Sequence, residues 1–489
     1  MRWGVRFAGV AAGWLLVMAA TGLPAWSQEA RVETRLHETL TKTYQTNPDL
    51  AAERAHVREI DEGVAQANAK WRPSISLEGE VKRSSSKAKY DHSKFDVRSE
   101  TWSADLVASQ PLFTGGRNGT EKRRALARVK AARARLRVTE QQVLLDAVTA
   151  HVDVARNEQV LDLVRADIAL LQDLLREVSS RRDAHIATES DVDQTIAALE
   201  AGRAECLSRL ATLHDSWRAY EQIVGEPPPV TSPAGEAPLV NPCVDVRGER
   251  LQSTLVLPVD LVAAPGSVEE VEKAAQGSVP ELDEARAEEE ASHYAVAAAY
   301  SDLLPSARLT ARLGTSGENF DPQWMEREAS VGAEMTVPIF STGAEWSEIR
   351  AAREANNRAR LSITSRQRRV MRDALHAWYD LVSIRAVRAV NKAQAESLQR
   401  AFEGLRAEMA DAKLHRSMTD LLGLRQGQLG AATVLANSQH DEAVAIYKLM
   451  AATGNLNAAF LKLPVDAYDP EANLKAQAGR LVGDSIQSD

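Results

Sequence analysis

The amino-acid sequence predicts a mixed α+β protein made of two copies of one unit, in which two β-strands precede a long helical hairpin. Three observations lead to this prediction. Landmark residues recur in the same order in both halves, short segments alternate apolar and polar residues, and two proline-free helical patterns each run for about 60 residues. A composition of 26% charged and 5% aromatic residues is typical of long helices.

The N-terminal segment, residues 1–27, is predicted to be a secretory signal peptide. Arg2 and Arg6 precede an apolar run from Phe7 to Ala20, and the small residues Ala25 and Ser27, on either side of Trp26, supply a cleavage site ahead of Gln28. The run is about 14 residues long, which is short for the alternative, a membrane-spanning anchor. No later stretch approaches the ~20 apolar residues of such a helix, so any membrane span must come from strands.

A duplication relates the two halves of the exported chain. Pro48 and Pro280 are separated by the same number of residues as Pro73 and Pro305. Further pairs match in the same order: Gln110–Gly116 with Val337–Gly343, Thr188–Val192 with Ser417–Leu421, and Gly225 with Gly454. The matches predict a first repeat at residues 28–225 and a second at 280–456.

Half-apolar strands are predicted where apolar and polar residues alternate, at about 73–83, 97–113, 305–313 and 329–340. Each is roughly ten residues long, enough to cross a bilayer when tilted. A soluble sheet would alternate in the same way, but the sequence offers no second sheet to cover its apolar face. Ser84–Val97 and Gly314–Glu328 are expected to be hairpin loops. Four strands are too few to close a membrane barrel, so the barrel must be shared between chains.

Long helices follow each pair of strands. After Gly116 a helical pattern continues to about Ser180, a length of about 90 Å at 1.5 Å per residue. Spacings of three and four predict coiled-coil packing at Leu161, Val164, Ile168, Leu171, Leu175 and Val178 and at Leu398, Phe402, Leu405 and Met409. The heptads taken alone would favour a plain two-stranded coiled coil. Polar turns at Arg181–Ser190 and Asp411–Thr419 lead into shorter return helices.

The rest of the chain carries fewer signals. Residues 226–279 are expected to be an irregular equatorial segment and linker, and residues 457–489 a C-terminal tail. Cys206 and Cys243 are compatible with one disulfide or with two free thiols in an exported chain. A net charge of -9 argues against nucleic acid as a partner. No phosphate-binding loop, nucleophile motif or metal-ligand spacing is present, so we expect no enzyme, cofactor or metal.

Taken together, these features resemble the TolC-type outer-membrane efflux and secretion channels over nearly all of the exported chain. The resemblance rests on the duplicated proline-then-strand starts, on Gln110–Gly116 and Val337–Gly343 at strand ends, and on the two interhelical turns. The segment Tyr468–Glu471 resembles a C-terminal segment of family members that are linked to type I secretion. The resemblance implies a homotrimer in which three chains close one twelve-stranded barrel, continued by a helical tunnel across the periplasm of a Gram-negative bacterium. It also implies a passive conduit, in contact with outer-membrane lipid, that docks a periplasmic adaptor protein and an inner-membrane transporter.

The same resemblance implies a gate at the hairpin tips. Arg416 falls at the position of a latch arginine, with Ser190 and Asp191 at those of its partners, and Asp420 at that of an acidic ring. The chain departs from the family pattern where Asp411 replaces a latch tyrosine and where the third residue after Asp420 is glycine rather than acidic. Asp411 is therefore expected to pair with Arg416 ionically. Asp191 and Asp420 would also suit helix caps.

Two other classes of protein share part of this pattern, a periplasmic adaptor and a structural coiled-coil protein. An adaptor carries one hairpin inserted in a small lipoyl-like domain, whereas two hairpins are predicted here. A structural coiled coil leaves the strands unexplained. The residues that are expected to face the lumen carry both signs of charge and therefore indicate no particular exported substrate: Glu78, Asp105, Arg308, Arg312 and Glu334.

Overall fold

The computed structural model describes residues 26–90, 93–231, 243, 252–253, 255, 257, 265–277, 279–318, 325–340, 342–410, 417–477 and 480. The predicted signal peptide lies outside these residues except for its last two, which begin the first helix. The described chain is mostly helical with one four-stranded antiparallel sheet, and its halves repeat one order of elements. This confirms the predicted mixed α+β fold with an internal duplication.

The first half begins with two helices and continues through a hairpin into a pair of helices: α1 (Trp26–Thr46), α2 (Pro48–Ala69), β1 (Ser74–Tyr90), β2 (Ser93–Thr114), α3 (Arg117–Asp183) and α4 (Glu189–Val224). The intervening segment, which was predicted to be irregular, contains three short elements: β3 (Val230–Thr231), β4 (Gln252–Ser253) and α5 (Val268–Gln276). The second half and the tail then follow: α6 (Pro280–Ser301), β5 (Ser306–Glu318), β6 (Met325–Thr336), α7 (Ala344–Ala410), α8 (Met418–Ala452) and α9 (Ala472–Gln477).

Local sequence explains where these helices begin and end. Pro48 and Pro280 open α2 and α6 in the first turn, where the missing N–H is no loss. The Asn47 side chain caps α2 by accepting hydrogen bonds from two backbone N–H groups. Gly225 ends α4 with a φ of 85°, a left-handed conformation that favours glycine. The duplicated landmarks are thus the residues that start and stop equivalent helices.

The sheet has the order β1-β2-β5-β6, so β1 and β6 are its edges. The prediction of loops at Ser84–Val97 and Gly314–Glu328 was wrong, because β1 continues to Tyr90 and β5 to Glu318. Beyond the predicted end of β1, Ser84 lies opposite Ser99 of β2, and their hydroxyl oxygens are 3.1 Å apart. The part of a strand that extends beyond the apolar layer needs no apolar face. The alternation of apolar and polar residues therefore ends earlier along the chain than the pairing between strands. β6 also stops at Thr336, short of the predicted 340.

Helices α2, α3, α6 and α7 pack side by side in that order below the sheet. The lower part of α3 packs on α4 and α8, and α7 packs on α8. Leu161, Val164, Ile168 and Leu171 of the predicted α3 heptad are all buried. Within the described part of the chain, no helix combines the length and the apolar character that crossing a membrane would require.

Candidate functional site

One face of the sheet is apolar, and no other described part of the chain covers it. Two cross-strand rows build it, Ile75, Ala108, Ala311 and Val331 in one and Leu77, Leu106, Leu313 and Ala329 in the other. Ile75, Leu77 and Val331 are 70%, 78% and 75% exposed. A surface of this kind is suited to contact lipid or a partner, since soluble monomers rarely expose a large contiguous apolar patch.

The opposite face is polar and carries the residues that were expected to face a lumen. Strand register places Glu78 opposite Asp105 and Arg308 opposite Glu334. The Arg308 guanidinium donates two hydrogen bonds to the Glu334 carboxylate, at 2.9 and 3.0 Å. Arg312 shares this face, opposite Ser330. The sheet is therefore amphipathic, as a wall between lipid and water must be.

The two edges of the sheet lack strand partners within the described chain. Each leaves a row of backbone N–H and C=O groups that pair with nothing in the sheet. Such groups are costly in an apolar environment, so the two edges are suited to pair with further strands.

At the other end of the molecule, the turn between α3 and α4 is organised by Asp191. Its carboxylate accepts hydrogen bonds from the Thr188 backbone N–H at 2.9 Å and from the Thr188 hydroxyl at 2.7 Å. The Asp191 N–H in turn donates to Thr188 Oγ1, completing a capping box at the start of α4. Ser190 accepts a hydrogen bond from Gln194, one turn along the same helix. Among the described residues, these hydrogen bonds of Asp191 and Ser190 lie within their own helix end.

The second turn is described only from Ser417 onward. Arg416 and Asp411 lie outside the described residues, so their pairing stays a prediction. Asp420 is exposed in the first turn of α8, where the helix dipole favours a negative charge. The N-cap of α8 is Ser417, which accepts a hydrogen bond from the Thr419 N–H. Ser417 therefore caps the start of α8, and the Asp420 carboxylate does not act as the cap.

Contacts between the two hairpin tips involve residues that sequence reasoning missed. The Thr419 hydroxyl donates to Gln194 Oε1 at 2.9 Å, and the Arg181 guanidinium donates to the Met409 carbonyl at 3.0 Å. Arg181 is also paired with Glu177 at 2.7 Å. All of these residues lie in or next to the predicted polar turns, but no spacing in the sequence shows which of them meet.

Above the tips, a buried layer joins the two hairpins. Residues from α3, α4, α7 and α8 form one apolar cluster: Leu174, Val178, Val192, Phe402, Met418 and Leu421. Above this cluster, Arg425 of α8 donates to the carboxylate of Asp167 of α3 in a buried ion pair. Burial raises the pKa of Asp167, and Arg425 opposes that rise. A buried carboxylate in this position depends on its arginine.

The segment between the repeats is fastened to the first hairpin at two points. A disulfide joins Cys206 of α4 to Cys243. The buried Glu158 carboxylate of α3 accepts hydrogen bonds from the Ser253 N–H at 2.7 Å and from the Ser253 hydroxyl at 2.8 Å. Burial raises the pKa of Glu158, and the two hydrogen bonds from Ser253 lower it. Cys243 and Ser253, two described residues of this segment, are therefore held against the first hairpin.

Comparison with known proteins identifies relatives of the chain along both halves. The family described as outer membrane efflux proteins matches residues 39–226 and 272–455. The outer membrane efflux protein BepC of Brucella suis is 30% identical over 466 residues, which are 92% of this chain and 93% of that protein. The alkaline protease secretion protein AprF of Pseudomonas aeruginosa is 23% identical over 372 residues, 76% of this chain and 73% of AprF.

Solved structures share the same fold at lower identity. The CmeC outer membrane channel of Campylobacter jejuni superposes with a TM-score of 0.73 at 16% identity and covers 98% of both chains. The outer membrane protein VceC of Vibrio cholerae gives a TM-score of 0.69 at 16% identity, covering 88% of this chain and 99% of VceC.

Proposed function

Because the chain belongs to the outer membrane efflux protein family and is an outer-membrane export channel with a large periplasmic part, we propose that three copies of it close one passive conduit. Channels of this family are trimeric and work with adaptor and inner-membrane components. For this chain we propose a homotrimer with a shared twelve-stranded barrel, four strands from each copy. A periplasmic adaptor and an inner-membrane transporter would dock on it, and the transporter would supply the energy.

The open amphipathic sheet is the observation that carries this proposal. Its edges β1 and β6 can pair with the β6 and β1 edges of neighbouring copies, which satisfies every strand and leaves no edge in lipid. Its apolar face would then surround the closed barrel, and its charged face would line the lumen. Neither a periplasmic adaptor nor a structural coiled-coil protein would require an amphipathic sheet with two open edges.

The experiment is a matched pair of substitutions on one strand, Val331→Asp and Ser330→Asp. Both side chains are exposed in the chain, but they point to opposite faces of β6. Val331→Asp is expected to abolish the detergent-stable trimer in the outer-membrane fraction, because a charge on the lipid face is costly at that depth. Ser330→Asp is expected to assemble. Native mass spectrometry of the extracted protein reads the outcome, and equal trimer yields from both variants would contradict the lipid-facing assignment.

For the tips, we propose that the three Asp420 carboxylates meet around the channel axis and set its resting conductance. Like charges held together repel one another, so they bind cations or counter-charges and favour separation when an adaptor moves the helices apart. Ser417, and not Asp420, caps α8, which leaves the carboxylate available for this role. Arg416 and Asp411 are proposed to restrain the same turn as an ion pair. Asp191 is proposed to hold the facing turn in shape through its capping box, with Ser190 beside it.

The exported cargo is proposed to be decided by the transporter rather than by this chain. Among the relatives, BepC is named for efflux and AprF for alkaline protease secretion, so both small molecules and proteins are candidates. Co-purification of the tagged channel with its transporter would decide between the two, because the transporter class differs.

A further inference from the structure

A cavity of about 410 Å³ lies in the helical wall just below the sheet. Four helices line it: His56 and Ile60 come from α2, Ala355 from α7, and the remaining residues from α3 and α6. Its volume is within the range of small-molecule sites. None of the gate or barrel functions uses this cavity.

The C-terminal tail shows which side of the wall the cavity faces. Glu471, just before α9, is 3.5 Å from Arg133 of α3, and Asn473 of α9 donates to Asp61 of α2 at 3.0 Å. The tail therefore covers one side of the α2–α3 layer. Arg124 and Arg128 are about half a helical turn away from Arg133 around α3, so they face the other side. The C-terminal tail would obstruct a tunnel if it lay inside one, so the side that the tail covers is the outer side. The cavity, on the opposite side of α3, therefore faces the tunnel.

Ion pairs satisfy most of the charges around the cavity. Arg135 is 3.3 Å from Glu53, and Arg124 is 3.5 Å from Glu121. The two α6 carboxylates that line the cavity both pair with Arg366 of α7.

Arg128 is the exception among the described residues, with no ion pair or hydrogen bond to any of them. Arg128 is exposed to solvent within the cavity, and partial desolvation together with the adjacent positive charge of Arg124 lowers its pKa. The remaining lining is largely apolar, with Ile60, Ala131, Ala132, Ala291 and Ala295.

We propose that this cavity is a binding station in the tunnel for amphipathic organic anions, with Arg128 pairing with the carboxylate or sulfonate and the alanine-lined wall holding the apolar body. The inference rests on the proposed trimeric channel, which would place three such stations around one tunnel. Arg124 and Arg135 are paired with Glu121 and Glu53, so Arg128 is the arginine of the lining that is available to an anion. Solutes of this class would be retained briefly on the way out, whereas cations of similar size would not.

The test is block of single-channel current through the purified trimer in planar bilayers, with naphthalene-2-sulfonate as the probe. The probe is added on the sheet side, from which it reaches the cavity without crossing the tips. Arg128→Gln is expected to raise the concentration for half-block about tenfold, the loss of one charge-assisted hydrogen bond. Arg128→Lys is expected to stay close to the wild type, because it keeps the charge.

The matched control is Lys122→Gln, which removes one exposed charge from the same helix. Lys122 lies eleven residues before Arg133, close to three whole turns, and therefore on the tail side. Its half-block concentration is expected to be unchanged. Equal block of wild type and Arg128→Gln, with normal conductance in both, would overturn the station and leave the channel standing. Absence of any conductance from the wild type would overturn the proposed channel and the station with it.

Discussion

Removal of Arg425 should loosen the tips of the two hairpins more than removal of any exposed arginine near them. Arg425 and Asp167 are 9% and 7% exposed and join α8 to α3 above the apolar cluster at the tips. Arg425→Met keeps the aliphatic part of the side chain and deletes the charge. It leaves the Asp167 carboxylate buried without a counter-ion, the costly half of a broken ion pair.

The magnitude follows from the burial of both partners. Loss of one partner of a buried pair costs about 3–5 kcal/mol, whereas replacement of both by apolar residues is near neutral. The double variant Arg425→Met with Asp167→Leu should therefore recover most of the loss. Arg176→Met is the matched control, because Arg176 pairs with Asp173 on the exposed side of α3. An exposed pair contributes at most about 1 kcal/mol.

The assay is hydrogen–deuterium exchange of the assembled trimer, followed at peptides from α3 and α8 around the pair. A loss of about 3–5 kcal/mol in local opening free energy speeds exchange by roughly a hundredfold or more. The acceleration should shrink in acid. Without Arg425 the folded pKa of Asp167 rises further above its ordinary 3.8, so folded protein takes up the proton first. The destabilisation is then largest at neutral pH and declines as the pH falls towards 3.8.

Two results would refute this reasoning. Exchange rates for Arg425→Met that match those for Arg176→Met would mean that the buried pair contributes no more than a surface pair. A double variant that exchanges as fast as Arg425→Met alone would mean that the unpaired carboxylate is not the source of the cost.

Two remaining predictions concern the gate and the segment between the repeats. Asp420→Asn should raise the resting conductance in planar bilayers and weaken block by divalent cations. Asp193→Asn, on the exposed side of α4, is the control and should change neither. Unchanged block in Asp420→Asn would contradict the proposed acidic ring. Cys206→Ser removes the disulfide to Cys243, 37 residues away, and should lower the free energy of unfolding by about 4 kcal/mol if the disulfide acts by restricting the unfolded chain. The expected result is faster proteolysis of the segment between the repeats. Proteolysis as slow as in wild type would show that Glu158 holds the segment without the disulfide.

The sequence predicted the elements that local chemistry specifies. Helix starts at Pro48 and Pro280 and the stop at Gly225 depend on backbone preferences that single residues carry. The strands were found only where one face is apolar. Beyond that layer, β1 continues through Arg83 and Ser84 with polar residues on both faces, and a pattern without alternation looks like a loop.

The contacts that join the hairpins could not be predicted in this way. Arg425 and Asp167 are 258 residues apart, and Arg425 is one of 59 lysines and arginines with nothing in its local sequence to mark it as buried. Asp191 is the reverse case, because the motif Thr188 to Asp191 has the spacing of a capping box and the structure forms one. Asp191, at a predicted latch position, thus makes described contacts that stabilise its own helix end.

The two hairpins differ in how far their own chain covers them, and this difference bears on how the tunnel could open. In the first hairpin, α3 buries residues along its whole length and α4 carries the disulfide. Helix α7 instead leaves Leu361, Tyr379 and Val390 between 57% and 70% exposed. Apolar side chains at this exposure on a rigid helix are expected to be covered by the neighbouring copy in the trimer. In the proposed trimer, the second hairpin would then depend on contacts between chains, and a partner that competes for those contacts is expected to move it more readily than the first.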